Sequence, residues 1–304
     1  MPVSPNQRGA IFMTLAMFGF TFNDTLVKYL TAEMSIGQIM VIRGLIASVL
    51  IFLLARHRGA LRPLKTVFNR WIGLRLFGEI GGTLTFLTGL SQIPIANATA
   101  ILQALPLAVT MGAAVFLKEP VGWRRWSAIL VGFVGVILIV RPGAEGFSPY
   151  SLLIVGTVLF AATRDIATRK IDHRVPTLFI STITSPLVAL SGFLLTPPFS
   201  QSWTSVNLTQ LGILAVAASF LLIAYHFMIL TMREGDISFI APFRYTGFLF
   251  AVLLGYLMFG DVPDIYIISG GLIIICTGLY TLYRESRRKD AREVAAEAPA
   301  RHMP

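Results

Sequence analysis

Ten runs of apolar residues, each close to twenty long, leave this chain few folds to choose from. They cover approximately residues 10–30, 36–55, 71–91, 94–117, 122–140, 149–170, 177–196, 207–231, 237–260 and 265–283. The hydrocarbon core of a bilayer, about 30 Å thick, takes roughly 20 helical residues to cross. The runs are continuous rather than alternating, so they fit helices and not the strands of a membrane barrel. Turn and charge signals divide them: the basic stretch 56–70, Lys118-Glu119-Pro120, Arg141-Pro142-Gly143, Pro197-Pro198 and Gly260-Asp261. At 55 % hydrophobic and 13 % charged residues, the chain falls well short of the roughly 25 % charge of a soluble domain. It is also too rich in Leu, Ile, Val and Phe to stay disordered. The single cysteine, Cys276, leaves no disulfide framework or thiolate cluster. The expected fold class is an all-α membrane protein with ten transmembrane helices, numbered here as spans 1 to 10.

The net charge of +10 does not point to nucleic acid, because of where the bases fall. With the N-terminus inside, nineteen of the 25 Lys and Arg lie on the inner side. They include Arg8, Arg56, Arg58, Arg62, Lys65, Arg70, Lys118, Arg124, Arg125, Arg169, Lys170, Arg174, Arg233 and the tail from Arg284 to Arg301. Only Lys28 and Arg141 fall outside, and Arg43, Arg75, Arg164 and Arg244 fall within spans. The positive-inside rule then places both termini in the cytoplasm of an inner-membrane, multi-pass protein. The tail 285–304 reads as a basic inner-leaflet anchor that is disordered beyond about Asp290. Span 1 is too long for a secretory signal and lacks a small-residue cleavage site.

The chain repeats itself at an offset of about 141–143 residues. Phe18-Gly-Phe-Thr-Phe-Asn-Asp24-Thr-Leu-Val-Lys28 lies over Leu159-Phe-Ala-Ala-Thr-Arg-Asp165-Ile-Ala-Thr-Arg169, each half setting an Asp four residues before a base. Lys118-Glu119-Pro120 lies over Gly260-Asp261-Val262, and glycines follow in both halves: Gly132 and Gly135, then Gly270, Gly271 and Gly278. Residues 10–141 and 149–284 thus form two five-helix repeats, preceded by a short cytoplasmic segment, 1–9. An odd number of spans per repeat inverts the second half, the plan of many secondary transporters with a site near the midplane.

On these residues, together with Ile42-Arg43-Gly44-Leu45 and Ala241-Pro242-Phe243-Arg244-Tyr245, the chain resembles the ten-helix EamA-type members of the drug/metabolite transporter superfamily. Asp261 stands where Glu is commoner in that family. The resemblance implies a carrier of small organic solutes, with a cavity surrounded by spans 1, 3, 4, 6, 8 and 9. It sets spans 5 and 10 to the side, where they offer contacts for a homodimer. It names no ligand.

Charge inside a bilayer costs about 2.5–3.5 kcal/mol or more at a helix centre, so it marks pairing or function. Asp24 and Arg43 lie at matching depths, roughly 9–10 Å from the outer side at ~1.5 Å per residue. Asp24 is read as a partner of Arg43, as a local partner of Lys28, which then snorkels outward, or as a group that binds or gates the substrate directly. A second cluster lies toward the inner face: Glu79 on span 3, Arg164 and Asp165 on span 6, His226 on span 8, and Arg244 and Tyr245 on span 9. It reads equally as a substrate site or as a gate, and Arg75, one turn before Glu79, competes for that carboxylate. Span 4 offers Asn97, Thr99 and Gln103, followed by Pro106. They suit either a polar ligand or bonds between helices. Pro106, and Pro242 in span 9, suggest bends serving alternating access. Phe86, Tyr225, Phe243 and Tyr245 are candidates for stacking on a planar ligand, or simply for packing. Trp71, Trp123, Trp126 and Trp203 fall near span ends as interfacial belts.

The function these residues suggest is secondary transport of a zwitterionic or anionic metabolite, resembling an amino acid or organic acid, with a planar vitamin such as riboflavin as the alternative. Small-molecule substrate and lipid are the expected partners; no cofactor, metal or nucleic acid is expected. An intramembrane enzyme finds little support. His57, His173, His226 and His302 are scattered, and neither a His-Glu-x-x-His pair nor a phosphate-cradling glycine loop occurs. A channel would call for rings of charge or carbonyl filters instead.

Overall fold

The computed structural model describes residues 4–63, 69–119, 121–172, 174–197, 203–231 and 237–297, with backbone only at 237–238 and 285–297. Lys65, Pro120, His173, Pro198, Arg233, Arg301 and His302, named above, lie outside the described residues. Among the described residues the secondary structure is entirely helical. The helices are α1 (Pro5–Leu30), α2 (Ile36–His57), α3 (Arg70–Gln92), α4 (Ile95–Leu102), α5 (Leu105–Phe116), α6 (Trp123–Val140), α7 (Tyr150–Arg169), α8 (Thr177–Ser191), α9 (Leu208–Thr231), α10 (Ile237–Ile240), α11 (Thr246–Phe259) and α12 (Ile265–Glu297). Among the described residues, nine segments combine the length and hydropathy of a membrane crossing. Helix α3 is the tenth span: its 23 residues reach about 34 Å at 1.5 Å per residue, with Arg75 and Glu79 lowering its hydropathy.

Local chemistry sets the ends. Ser4 and Gln7 form a reciprocal capping box with Pro5 in the first turn of α1, which satisfies donors that a helix start leaves open. The Asn69 side chain accepts from the Trp71 N–H to start α3. Gly260 ends α11 at φ 69°, a left-handed position that a glycine reaches without a Cβ clash. The end of the bundle holding Pro5, His57, Arg70, Phe116, Trp123, Arg169, Thr177 and Thr231 is called the near end. The end holding Leu30, Ile36, Gln92, Val140, Tyr150, Leu208 and Phe259 is the far end.

Two spans expected as single helices are broken. Span 4 divides into α4 and α5 at Gln103–Ala104, and Pro106 enters the first turn of α5. Span 9 divides into α10, a 3₁₀ turn over Ala241–Tyr245, and α11, with Pro242 opening the turn. Proline has no N–H to give and its ring crowds the preceding turn, so the α ladder lapses at both places. At the other end of the chain, α12 runs on to Glu297 where disorder was expected beyond Asp290. The Ala, Glu, Arg and Lys of this stretch are strong helix formers and extend the helix already in place.

The packing follows the repeat. Helix α1 packs on α9 and α3 on α7; α2 packs on α8 and α6 on α12; and α4 meets α11. In terms of spans, the pairs 1·8 and 6·3 exchange when the halves are exchanged, and 2·7, 4·9 and 5·10 each map onto themselves. The two halves are therefore inverted five-helix repeats about a pseudo-two-fold axis. Spans 5 and 10 use their glycines on each other: a Cβ on Gly135 would sit 2.9 Å from the Gly270 carbonyl oxygen, and one on Gly270 would sit 2.7 Å from that of Gly135. The opposite face of α6 presents Leu130, Val131, Val134 and Ile137 to the outside, a surface suited to lipid.

Candidate functional site

A cavity of about 420 Å³ lies between the repeats, within the size range of small-molecule sites. Helical periodicity explains which residues reach it. Helix α3 contributes Arg75, Gly78, Glu79, Gly82, Thr83 and Phe86 from one face, and α8 contributes Ser181, Thr184 and Ser185. Each set recurs at three- and four-residue spacing, the repeat of one helix face.

Of the expected site residues, Asp24, Glu79, Thr99, Gln103, Arg164 and Arg244 line this cavity, as do Arg43, Arg75 and Tyr225. Asn97, Asp165, His226 and Tyr245 do not, and each has a geometric reason. On α9 the lining face is Leu221, Tyr225 and Met228; His226, one position on, is turned about 100° away. The buried Tyr245 side chain packs against α12, where a Cβ added to Gly278 would collide with its hydroxyl. Asn97 lies outside the wall with a buried Oδ1 that has no hydrogen-bond partner among the described residues. Asp165 stands behind Arg164, which it holds.

The charged groups form two clusters. In the first, the Asn23 amide joins two charges that the sequence suggests as a direct pair. Arg43 Nη1 donates to Asn23 Oδ1 at 2.9 Å, and Asn23 Nδ2 donates to Asp24 Oδ1 at 2.8 Å. In the second, Arg164 Nε donates to Asp165 Oδ1 at 2.9 Å and its Nη1 lies 3.7 Å from Glu79 Oε1. Arg75 lies 3.8 Å from the other Glu79 oxygen. The repeat is visible here, since Asn23-Asp24 and Arg164-Asp165 occupy matching positions and each closes the same neighbour-to-neighbour bond.

Lys28 behaves differently from the expected snorkelling partner of Asp24. Its ammonium donates to the Leu90 and Ile93 carbonyls at 3.0 and 2.7 Å and lies 5.5 Å from the Phe259 ring. A helix end leaves its last carbonyls without intrahelical partners, and at the end of α3 a cation fills that role.

The cavity wall is also wider than the resemblance implies. Spans 2 and 7 supply Met40, Arg43, Gly44, Ala47, Ile51, Ser181, Thr184, Ser185 and Val188. The sequence reading passed over Asn23 and the hydroxyls of α8. The 181, 184, 185 spacing of Ser and Thr was the available signal. It is weak, because hydroxyls in membrane helices commonly bond the preceding turn, as Ser181 does to the Thr177 carbonyl.

The ten-span bundle of two inverted repeats encloses, between them, a cavity lined by apolar side chains and a set of charged ones. The chain belongs to the EamA-like transporter family, whose model matches it twice, over residues 7–141 and 148–284. Among its relatives, the S-adenosylmethionine uptake transporter of Rickettsia conorii is 28 % identical over 284 residues, covering 92 % of this chain and 94 % of that one. The riboflavin transporter of Vibrio cholerae is 26 % identical over 294 residues, covering 95 % and 97 %. The pseudopaline exporter CntI of Pseudomonas aeruginosa is 25 % identical over 276 residues, covering 88 % and 94 %. A solved crystal structure with 18 % identity shares the fold at a TM-score of 0.63, over 94 % of this chain and 98 % of that one. The chain is accordingly a multi-pass membrane protein and a small-molecule transporter.

Proposed function

We propose that this protein is a secondary active transporter that moves a zwitterionic or anionic metabolite, resembling an amino acid or organic acid, across the cytoplasmic membrane by alternating access. The observation that carries this reading is the charge of the cavity wall: Arg43, Arg75, Arg164 and Arg244 against Asp24 and Glu79. Guanidinium groups recognise carboxylates with paired donors, and the two acids leave room for an ammonium on the same molecule. The named cargoes of the relatives are diverse, so the wall's own charge is the better guide to substrate class.

In this reading Asp24, Glu79, Thr99, Gln103, Arg164 and Arg244 contact the cargo or gate its passage. Asp165 holds Arg164, and His226, Tyr245 and Asn97 support the helices around them. Arg43 is a structural partner of the Asn23–Asp24 pair, and Lys28 of the far end. The near end is cytoplasmic in this reading, with both termini inside, and the excess of basic residues in its loops supports that orientation. If spans 5 and 10 carry a homodimer, they do so through the outward face of α6, since their glycine faces are already used within the chain.

A second reading, a planar vitamin such as riboflavin, is favoured by one feature of the wall. Phe20 and Tyr225 meet edge to face with centroids 5.1 Å apart, and Phe86 also lines the cavity. Counterflow in liposomes separates the readings. Exchange of labelled amino and organic acids supports the first and exchange of riboflavin the second. Conversion of the compound into a product would support an enzyme instead.

A further inference from the structure

We infer that Arg244 is the cavity's receptor for a carboxylate on the cargo. The inference rests on the carrier reading above and narrows its substrate class to molecules that bear such a group. It follows from how the cavity's arginines are partnered. Arg43 is held by Asn23, Arg75 faces Glu79, and Arg164 is shared between Glu79 and Asp165. Arg244 makes no hydrogen bond or ion pair with any other described residue. Asp165, the acid to which it is electrostatically coupled, is already bonded by Arg164 at 2.9 Å. A guanidinium in a membrane bundle with no counter-ion is costly, and an arriving carboxylate removes that cost by accepting two parallel N–H bonds.

The backbone around Arg244 favours the same role. The residue sits in the 3₁₀ turn Ala241–Tyr245, at the break of span 9, and broken helices line the binding sites of many inverted-repeat carriers. The turn is also anchored to the opposite pole of the cavity. Thr21 bonds the Gly247 carbonyl at 3.4 Å, and Gly247 faces Met17 and Thr21 of α1. Asp24 lies one turn beyond Thr21 toward the far end, and Arg244 lies three residues before Gly247 toward the near end. Their backbones are therefore separated by about 10 Å along the bundle. A carboxylate on Arg244 leaves the rest of the cargo directed toward Asp24, where an ammonium has its counter-charge.

The test uses wild type, Arg244→Lys and Arg244→Gln in liposomes. Counterflow is measured with four probes: S-adenosylmethionine, its decarboxylated form, glutamate and riboflavin. Thermal melting in detergent establishes that each variant is folded. The expected result is that wild type exchanges a carboxylate-bearing probe, that Arg244→Gln slows this exchange about 10- to 100-fold, and that Arg244→Lys recovers part of it. Preference for S-adenosylmethionine over its decarboxylated form should collapse in Arg244→Gln, which a merely structural role would not produce. Should Arg244→Gln fail to fold, the same preference measured in Arg244→Lys decides the matter, because a lysine lacks the two-pronged donor. An unchanged preference in the folded variant overturns the inference. Exchange of only riboflavin or the decarboxylated probe by wild type also overturns it, while leaving the carrier reading intact. Wild type that exchanges none of the four overturns the inference and the metabolite-carrier reading together.

Discussion

At the far end of the bundle, Lys28 bonds the Leu90 and Ile93 carbonyls. Gln210 donates to Glu33 at 2.7 Å, and Gln38 both donates to and accepts from Thr204. Arg141 pairs with Asp264 at 2.5 Å and lies over the Tyr266 ring. At the near end, the repeat counterpart of Lys28 is Arg169, which lies 3.9 Å from Glu119 with both side chains about half exposed. Deeper on the same side, Arg164 and Glu79 join α7 to α3 at 3.7 Å. The comparison separates two kinds of contact that the same repeat makes. At the far end the base is partly buried and capped by backbone carbonyls; at the near end it rests on a half-exposed acid. The far end is therefore the more tightly tied of the two, a seal that the alternating-access reading proposed above assigns to a carrier whose cavity faces the near end.

The strongest way to break this asymmetry is to push the sealed helices apart. A Cβ on Gly37 of α2 would lie 2.4 Å from the Gly192 carbonyl oxygen and 2.7 Å from Thr196. Much of that obstruction is backbone and cannot swing aside. Gly37→Leu should cost about 3 kcal/mol or more, lower the melting temperature by several degrees and abolish counterflow. Normal melting and transport in this variant would mean that spans 2 and 7 do not need to meet. Next in size is Lys28→Met, which leaves two buried carbonyls without a donor and loses about 2–3 kcal/mol of charged hydrogen bonding. In a background lacking Cys276, a cysteine introduced by Glu33→Cys should react with a membrane-impermeant maleimide several-fold faster once Lys28 is removed. Equal reactivity would show that Lys28 does not hold the far end. A smaller effect belongs to Gln38→Leu. It removes neutral hydrogen bonds to Thr204 and should cost about 1 kcal/mol, visible as a modest drop in melting temperature with transport largely kept.

The sequence made some parts of this arrangement plain and hid others. Hydropathy and the Asp-x-x-x-base repeat carry the ten spans and their inversion, because each signal is either long or duplicated. The cavity face of α3 was legible in part, since Arg75 and Glu79 one turn apart stand out against apolar neighbours. Asn23 was not legible: an amide beside an acid gives no sign that it will bridge that acid to Arg43 on another helix. His226 and Tyr245 lie off the cavity wall for the opposite reason. Their residue types suggested chemistry, but a shift of one position on a helix turns a side chain away from the cavity. The breaks in spans 4 and 9 were signalled by Pro106 and Pro242. What the sequence could not give is that the 3₁₀ turn after Pro242 leaves Arg244 as the cavity arginine without a hydrogen-bond or ion-pair partner among the described residues, because that depends on which amide and acids the other three arginines already hold.

The smallest effect on stability is expected at the near end, and it sharpens the comparison most. Arg169→Gln removes an exposed pair at 3.9 Å, and such pairs contribute about 0–1 kcal/mol. Melting should shift little, and raising the salt concentration should erase what difference there is. Yet Arg169 occupies the repeat position of Lys28, and Glu119 that of Asp261, whose Oδ2 is buried without a hydrogen-bond partner among the described residues. If the repeats exchange conformations when the cavity turns to face the far end, Arg169 takes over the capping role and Lys28 falls back toward Asp261. Arg169→Gln should then slow counterflow about tenfold while leaving stability unchanged, and Lys28→Met should lower both. Full-rate counterflow by Arg169→Gln would show that the two ends are not alternates of one latch, and that the seal at the far end is a fixed feature of this fold.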